Sequence, residues 1–283
     1  MSIFKLDPAF KDYIWGGTRL RDEYGKKCDY DKVAESWELS CHKDGPSVVA
    51  DGEYKGLTLN EYIEKAGKGV LGKNCERFEN FPILIKLIDA KDNLSVQVHP
   101  DNDYAMRVEG EYGKTEMWYV VDCDEGATLL YGFKHEITKE EFARRIADNT
   151  LLEVTNAVPV KKGDVFFIKS GTLHAIGKGI LIAEIQQNSN TTYRIYDYGR
   201  VGKDGKPREL HVNKALDVTK LAPAEQYPET PVEKKDGYDI KLLSKCEYFT
   251  TYRVNVETKA ELDADENSFN SILVLELSLI HIS

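Results

Sequence analysis

The apolar residues of this chain fall in short runs separated by glycine or charged turns. PILIKLI (82–88), LSVQVHP (94–100), EMWYVVD (116–122), ATLLYGF (127–133), VPVKKGDVFFIKSG (158–171) and GILIAEIQQ (179–187) have strand length and strand composition. Further upstream, Trp15-Gly16-Gly17 predicts a tight bend, and 34–40 (AESWELS) predicts an alternating strand. Helical periodicity is confined to three places. Thr58-Leu59-Asn60-Glu61 is a capping-box pattern that opens LNEYIEKAG, closed by Gly67. Thr138 to Glu141 opens EEFARRIADN in the same way, and LHVNKALDV at 210–218 predicts a third helix. Many short strands with few helices predict a sandwich or barrel rather than βαβ units. No GxGxxG or GxxxxGK[ST] follows any strand, so a nucleotide-binding fold has no support.

The pattern breaks at 222–237, APAEQYPETPVEKKDG, which is rich in proline and charge and lacks apolar periodicity. It predicts a linker between an N-terminal domain (1–221) and a C-terminal segment (238–283). Strand-like alternation resumes at YDIKLLSKCEYFTTYRVNVETKAEL, and the sequence stops in SILVLELSLIHIS, an apolar run with no closing turn. So few strands would leave long edges uncovered, which predicts a truncated second domain.

A length of 283 residues allows one large β domain or two smaller ones. The composition, 41% apolar and 30% charged, is that of an ordinary soluble protein. A net charge of −10 without a Lys/Arg-rich block argues against nucleic acid and anionic membranes as partners. An anionic substrate would therefore need a local basic pocket. Five cysteines without a CxxC pair suit a reduced compartment. No secretory signal and no apolar run of about 18 residues is visible, so the expected location is cytoplasmic. Oligomeric state is not legible.

The candidate chemistry lies in 94–116, LSVQVHPDNDYAMRVEGEYGKTE, taken with GDVFFIKSGTLHAIG further on. Residues two apart on a strand share a face, so Gln97 and His99 project together. Glu116 opens the TEMWYVV run, and His174 ends the later segment. Two imidazoles, a carboxylate and an amide oxygen are a set that a catalytic zinc or similar divalent ion accepts. His42, His135 and His211 have no companion at ligand spacing and are read as structural; His281 is given no role.

The GDVFFIKSGTLH segment resembles the second cupin motif, with Lys169 where a proline is usual. In QVHPDNDYA the first motif's histidine pair is represented by Gln97 and His99. Together with GKTEMWYVV, AEIQQNSNTTYRIYDYGR, IWGG and ESWELS, this resembles the type I mannose-6-phosphate isomerases of the short bacterial kind, from residue 1 to about 275. Asn102 stands where the family loop often has Asp. The resemblance implies a cupin (jelly-roll) barrel with a few helices, followed by a second, cupin-like β domain. It further implies one zinc per chain, with other divalent metals also accepted, held by Gln97, His99, Glu116 and His174. Arg194 matches the arginine assigned as catalytic, Lys114 an active-site lysine, and Glu184 an acidic residue facing the same cavity. Arg200 falls where a basic group lies near the phosphate.

The implied reaction interconverts mannose 6-phosphate and fructose 6-phosphate through an enediolate, with a small-molecule sugar phosphate as partner. A base must change protonation state near neutral pH. A dication beside Lys114 would lower its pKa, and burial would raise that of Glu184; the sequence leaves the base open between them, leaning to Lys114. Two other classes compete: a non-catalytic sugar-phosphate-binding cupin, which should have lost part of this set, and a cupin oxygenase using iron, which the Gln97 exchange disfavours.

Overall fold

The computed structural model describes residues 3–202 and 205–277. The first four strands are β1 (Leu6–Asp7), β2 (Ala9–Lys11), β3 (Glu35–Leu39) and β4 (Val48–Val49), with the one-turn helix α1 (Arg19–Asp22) between β2 and β3. Helix α2 (Leu59–Ala66) precedes β5 (Ile83–Ala90) and β6 (Val96–Val98), and α3 (Asn102–Val108) precedes β7 (Glu116–Cys123) and β8 (Thr128–Phe133). Helix α4 (Lys139–Ala147) leads to β9 (Thr155–Pro159), β10 (Val165–Ile168), β11 (His174–Ala175), β12 (Ile180–Gln187) and β13 (Tyr193–Tyr196). Helix α5 (Val212–Val218) and strands β14 (Val232–Lys235), β15 (Tyr238–Lys245) and β16 (Thr250–Val256) follow.

Two antiparallel sheets form the body, in the orders β10-β7-β12-β5-β3-β2 and β13-β6-β11-β8-β9. The molecule is thus mainly β, as the runs predict. Every residue of β5 and of β12 is buried, because both faces of the larger sheet are covered. On the inner face Ile88, Ala90, Trp118, Val120, Ile180 and Ile182 meet Leu129 and Tyr131 of the facing sheet. Residues one position over, Ile83, Ile85, Met117 and Ile185, pack under α2 together with Leu243 of β15 and Phe249 of the connection between β15 and β16. The smaller sheet turns Val96, Val98, Tyr193 and Ile195 outward against Phe142 of α4 and Ala215 of α5. Each fully buried side chain of this kind contributes about 1.5–3 kcal/mol.

The three expected helices are present. Thr58 and Glu61 make both reciprocal capping-box bonds at α2, and Thr138 caps α4. Two short helices, α1 and α3, were not predicted; each buries a single residue, Leu20 or Ala105, too little to mark a period. Strand β14 lies within the stretch read as linker. Its four residues are all exposed, and it exists by pairing with β15. The apolar end does not form a strand over 271–277: Leu273 and Leu275 pack beside Leu20, Leu87 and Leu181 while Ile272 and Val274 face outward. His281 lies outside the described residues. Among the described residues no helix is long and apolar enough to cross a membrane.

Candidate metal centre

The pleat sets the site. In β6 Val96 and Val98 point outward, so Gln97 and the following His99 point between the sheets. His174 of β11 pairs directly with Gln97. Glu116 opens β7 on the face that carries Trp118 and Val120. His99, Glu116 and His174 therefore converge from three strand ends, buried, with donor atoms all within 4.8 Å of one another.

Hydrogen bonds fix the imidazoles. His99 Nδ1 lies 2.9 Å from the Thr191 carbonyl and His174 Nδ1 2.8 Å from that of Thr172. Carbonyls accept, so each Nδ1 carries the hydrogen and each Nε2 presents a lone pair. These Nε2 atoms face one another at 3.1 Å. Glu116 Oε1 sits 3.4 Å from His174 Nε2 and 3.8 Å from His99 Nε2, buried and without a hydrogen-bond partner. Three converging electron pairs repel unless a cation lies among them, so the residues fit a divalent metal. The Gln97 amide is placed with its nitrogen 3.3 Å from His174 Nε2; a flip of the amide brings its oxygen to the same point.

Burial, then the charge of Lys114 and the neighbouring His174, hold His99 well below the ordinary imidazole range. Burial pushes His174 down to about 4. Both are neutral at pH 7, the form that binds metal. Burial and the Glu184 carboxylate push Glu116 up to about 8, against the pull of Lys114.

Beside the ligands runs a ladder of buried charges of alternating sign. Lys114 Nζ is 2.9 Å from Glu116 Oε2 and 3.5 Å from Glu184 Oε1. Lys86 Nζ is 3.6 Å from Glu184 Oε1 and 3.4 Å from Glu35 Oε2. Strand register produces the order, since Glu184 pairs with Lys86 and Trp118. Trp118 Nε1 donates to Glu184 at 3.0 Å and Trp37 Nε1 to Glu35 at 2.6 Å, which fixes both carboxylates. The ladder opposes the pKa directions that burial alone would give. Burial would raise Glu184, but Lys114 and Lys86 hold it down at about 2. Burial would lower Lys114, but Glu116 and Glu184 hold it above its ordinary value. Lys114 is positioned by its neighbour Gly113, where a Cβ would stand 2.3 Å from the Asp101 carbonyl carbon. Asn102 Oδ1 accepts from Gly113 N at 2.9 Å and its Nδ2 donates to Tyr248 Oη at 3.0 Å, where an Asp would instead have to accept from the hydroxyl.

Arg194 of β13 pairs with Gln97 and shares its inward face, while Tyr193 and Ile195 point outward. Its Nη1 donates to the Glu209 carbonyl at 3.0 Å; its Nε is buried without a partner. Arg200 donates to Asp197 Oδ1 at 2.5 Å and to the Asn93 carbonyl at 2.5 Å. All eight residues singled out from the sequence thus lie on strands or loops of the two facing sheets. Sequence reasoning missed Lys86 and Glu35. A lysine inside PILIKLI, on a strand otherwise wholly apolar up to Ile88, was the available signal for the first. His42 is buried beside Asp44, its Nδ1 accepting from Asp44 N at 3.1 Å, and His211 Nδ1 accepts from Arg194 N at 3.2 Å, both as structural residues.

Residues 3–126 match the family model described as phosphomannose isomerase type I, catalytic domain. Mannose-6-phosphate isomerase ManA of Bacillus subtilis is 41% identical over 270 residues, covering 95% of this chain and 84% of that protein. The chain belongs to the type I phosphomannose isomerase family. Mannose-6-phosphate isomerase of Streptococcus mutans is 42% identical over 255 residues, 88% of this chain and 77% of that one. The crystal structure of the mannose 6-phosphate isomerase from Bacillus subtilis superposes with a TM-score of 0.85 at 40% identity, covering 90% of this chain and 81% of that one. A variant of the phosphomannose isomerase from Salmonella typhimurium gives 0.68 at 16% identity, over 87% and 82% of the two chains, and shows the fold alone. This type I phosphomannose isomerase family member therefore has the family's cupin fold, with a His-Glu-His cluster that could hold a metal.

Proposed function

We propose that this chain interconverts mannose 6-phosphate and fructose 6-phosphate at a zinc held by Gln97, His99, Glu116 and His174. The observation that carries the reading is the pair of Nε2 lone pairs aimed at the unpartnered Glu116 Oε1. Membership of a family whose named relatives are mannose-6-phosphate isomerases supports the substrate. Zinc, when bound, supplies a Lewis acid for the oxygen that gains charge in the enediolate.

The remaining work falls to the side chains. Isomerisation moves a proton between C2 and C1, so one group must accept and return it. A lysine held protonated cannot accept a proton, which favours Glu184 as acceptor and Lys114 as donor to the sugar oxygen. The basicity of Glu184 rises as Lys114 turns towards substrate, because that ammonium is the leading charge holding it down. Arg194 keeps its charge throughout and stabilises developing negative charge from the facing sheet. Because the sheets are packed together, water is excluded and these charges act at low dielectric.

Two results test this. Arg194→Ala should retain metal, measured by elemental analysis, and lose turnover by about 100-fold or more; full activity in that variant would contradict the assignment. Loading the metal at pH 7 should release protons from the coupled Glu116–Glu184 pair, because burial and Glu184 hold Glu116 above the ordinary carboxylate range while both imidazoles are already neutral. Calorimetry in two buffers of different ionisation enthalpy measures this directly, and release of no proton would refute it.

A further inference from the structure

We infer that His211 is the positioning residue of Arg194, and that it acts only while its ring is neutral, so that turnover carries a proton switch outside the metal centre. This rests on the isomerase reading above and adds a control to it. His211 lies outside the ligand set and acts through Arg194.

The strand order leaves β13 at the edge of the smaller sheet, with β6 on one side only. An edge strand presents unpaired N–H and C=O groups, which a native fold covers. At Arg194 one residue takes both. Arg194 N donates to His211 Nδ1 at 3.2 Å, and His211 N donates to the Arg194 carbonyl at 2.7 Å. The imidazole thus stands where the carbonyl of a neighbouring strand would be. Because these backbone groups face away from β6, Arg194 and Gln97 form the close, non-hydrogen-bonded kind of antiparallel pair. Pairing with β6 slips between Arg194 and Tyr196, so β6 alone does not fix the strand here. The same short segment also holds the guanidinium, since Arg194 Nη1 donates to the Glu209 carbonyl at 3.0 Å. Three bonds from residues 209–211 therefore fix Arg194 at backbone and side chain. His211 is itself anchored: its carbonyl accepts from Ala215 N at 2.9 Å and starts α5, whose Ala215 shares a core cluster with Tyr193 and Ile195.

This clamp has one protonation state. An Nδ1 that accepts from an amide carries no hydrogen, so the proton of the neutral ring sits on Nε2. A second proton would go to Nδ1 and set two donors against each other at 3.2 Å, beside the Arg194 charge. On its own segment the ring faces Glu209, whose Oε2 is 3.9 Å from Nε2. From β13 it faces Arg194 and the Tyr193 ring, whose centre is 6.1 Å away; from α5 it faces Lys214, and from the end of α3 Glu109. Glu109 is already engaged by Tyr193 Oη at 2.8 Å and Lys214 Nζ at 2.6 Å. Burial first, with Arg194 and Lys214 against the pull of Glu209 and Glu109, holds His211 below the ordinary imidazole value of 6.5. The clamp is therefore closed at pH 7 and opens as pH falls below that value.

The test uses the metal-loaded full chain and compares the parent with His211→Ala, His211→Asn and a control at an exposed histidine, His135→Asn. Asparagine places an acceptor oxygen near the Nδ1 position but does not titrate. At pH 7.5 His211→Ala should lower kcat by about 10- to 100-fold, with KM within about threefold and metal content unchanged. His211→Asn should recover kcat to within about threefold of the parent. As pH is lowered from 7.5 to 5, kcat of His211→Asn divided by that of the parent should rise by about twofold or more, because only the parent opens its clamp. Groups that titrate in both proteins cancel in that ratio, and His135→Asn should follow the parent. A parent-like kcat in His211→Ala, or a ratio that stays flat, overturns the inference. Nitrogen NMR of the parent reads the clamp without activity, so a failure of the alanine variant to fold leaves the test intact. The Nε2–H tautomer is expected at pH 7.5, and the Nδ1–H tautomer overturns the inference. A parent that shows the expected tautomer, with an Arg194 amide shift that follows His211 titration, but does not isomerise refutes the proposed function and leaves the clamp standing.

Discussion

His174→Ala should strip the centre of metal and abolish turnover together. His174 Nε2 lies 3.1 Å from His99 Nε2, 3.4 Å from Glu116 Oε1 and 3.3 Å from the Gln97 amide, so removing it takes away the atom on which the other three ligands converge. Groups that merely orient a ligand cost roughly 10–100-fold in metal affinity when removed, and loss of the ligand itself should exceed that. The small side chain also opens a hole beside Trp118, which stacks edge-on to the His174 ring at 5.3 Å. Metal content and isomerase rate measured on one preparation check the prediction; a variant that stays fully loaded and active would remove His174 from the centre.

The second large effect concerns the charge ladder. Glu184→Leu leaves Lys114 and Lys86 buried with one carboxylate each, and breaking a buried ion pair from one side costs about 3–5 kcal/mol. For a chain of this length that corresponds to a fall of roughly 6–20 °C in Tm. Glu184→Gln, which keeps an acceptor for Trp118, should cost less. The pH dependence follows in sign. Glu184 is held at about 2 in the folded state against 4.5 for the free side chain. Its contribution is therefore present above about 4.5 and lost as pH falls towards 2. The leucine variant should show a flatter acid limb in urea or thermal unfolding; a parent-like Tm would show that the ladder does not carry stability.

Much of this was legible in the sequence, for a definite reason. Runs such as ILIAEIQQ and PILIKLI must be strands buried on both faces, because their apolar residues fill both phases of the alternation. The same alternation put Gln97 and His99 on one side. What could not be read was which strands meet. Register against β7 and β5 is what sets Glu184 between Lys114 and Lys86, and that neighbourhood reverses the pKa directions that burial alone would give. Lys86 and Glu35 become partners only once β3 and β5 are paired. Strand β14 was hidden because its exposed, charged residues carry no core signal.

The central claim is that a metal at Gln97, His99, Glu116 and His174 supports sugar-phosphate isomerisation. Its most direct test follows mannose 6-phosphate and fructose 6-phosphate by NMR with the purified chain, first after exhaustive chelation and then with zinc restored. The account predicts no exchange in the chelated protein and exchange once zinc is returned at one equivalent. Interconversion at an unchanged rate in protein shown to be metal-free would contradict it.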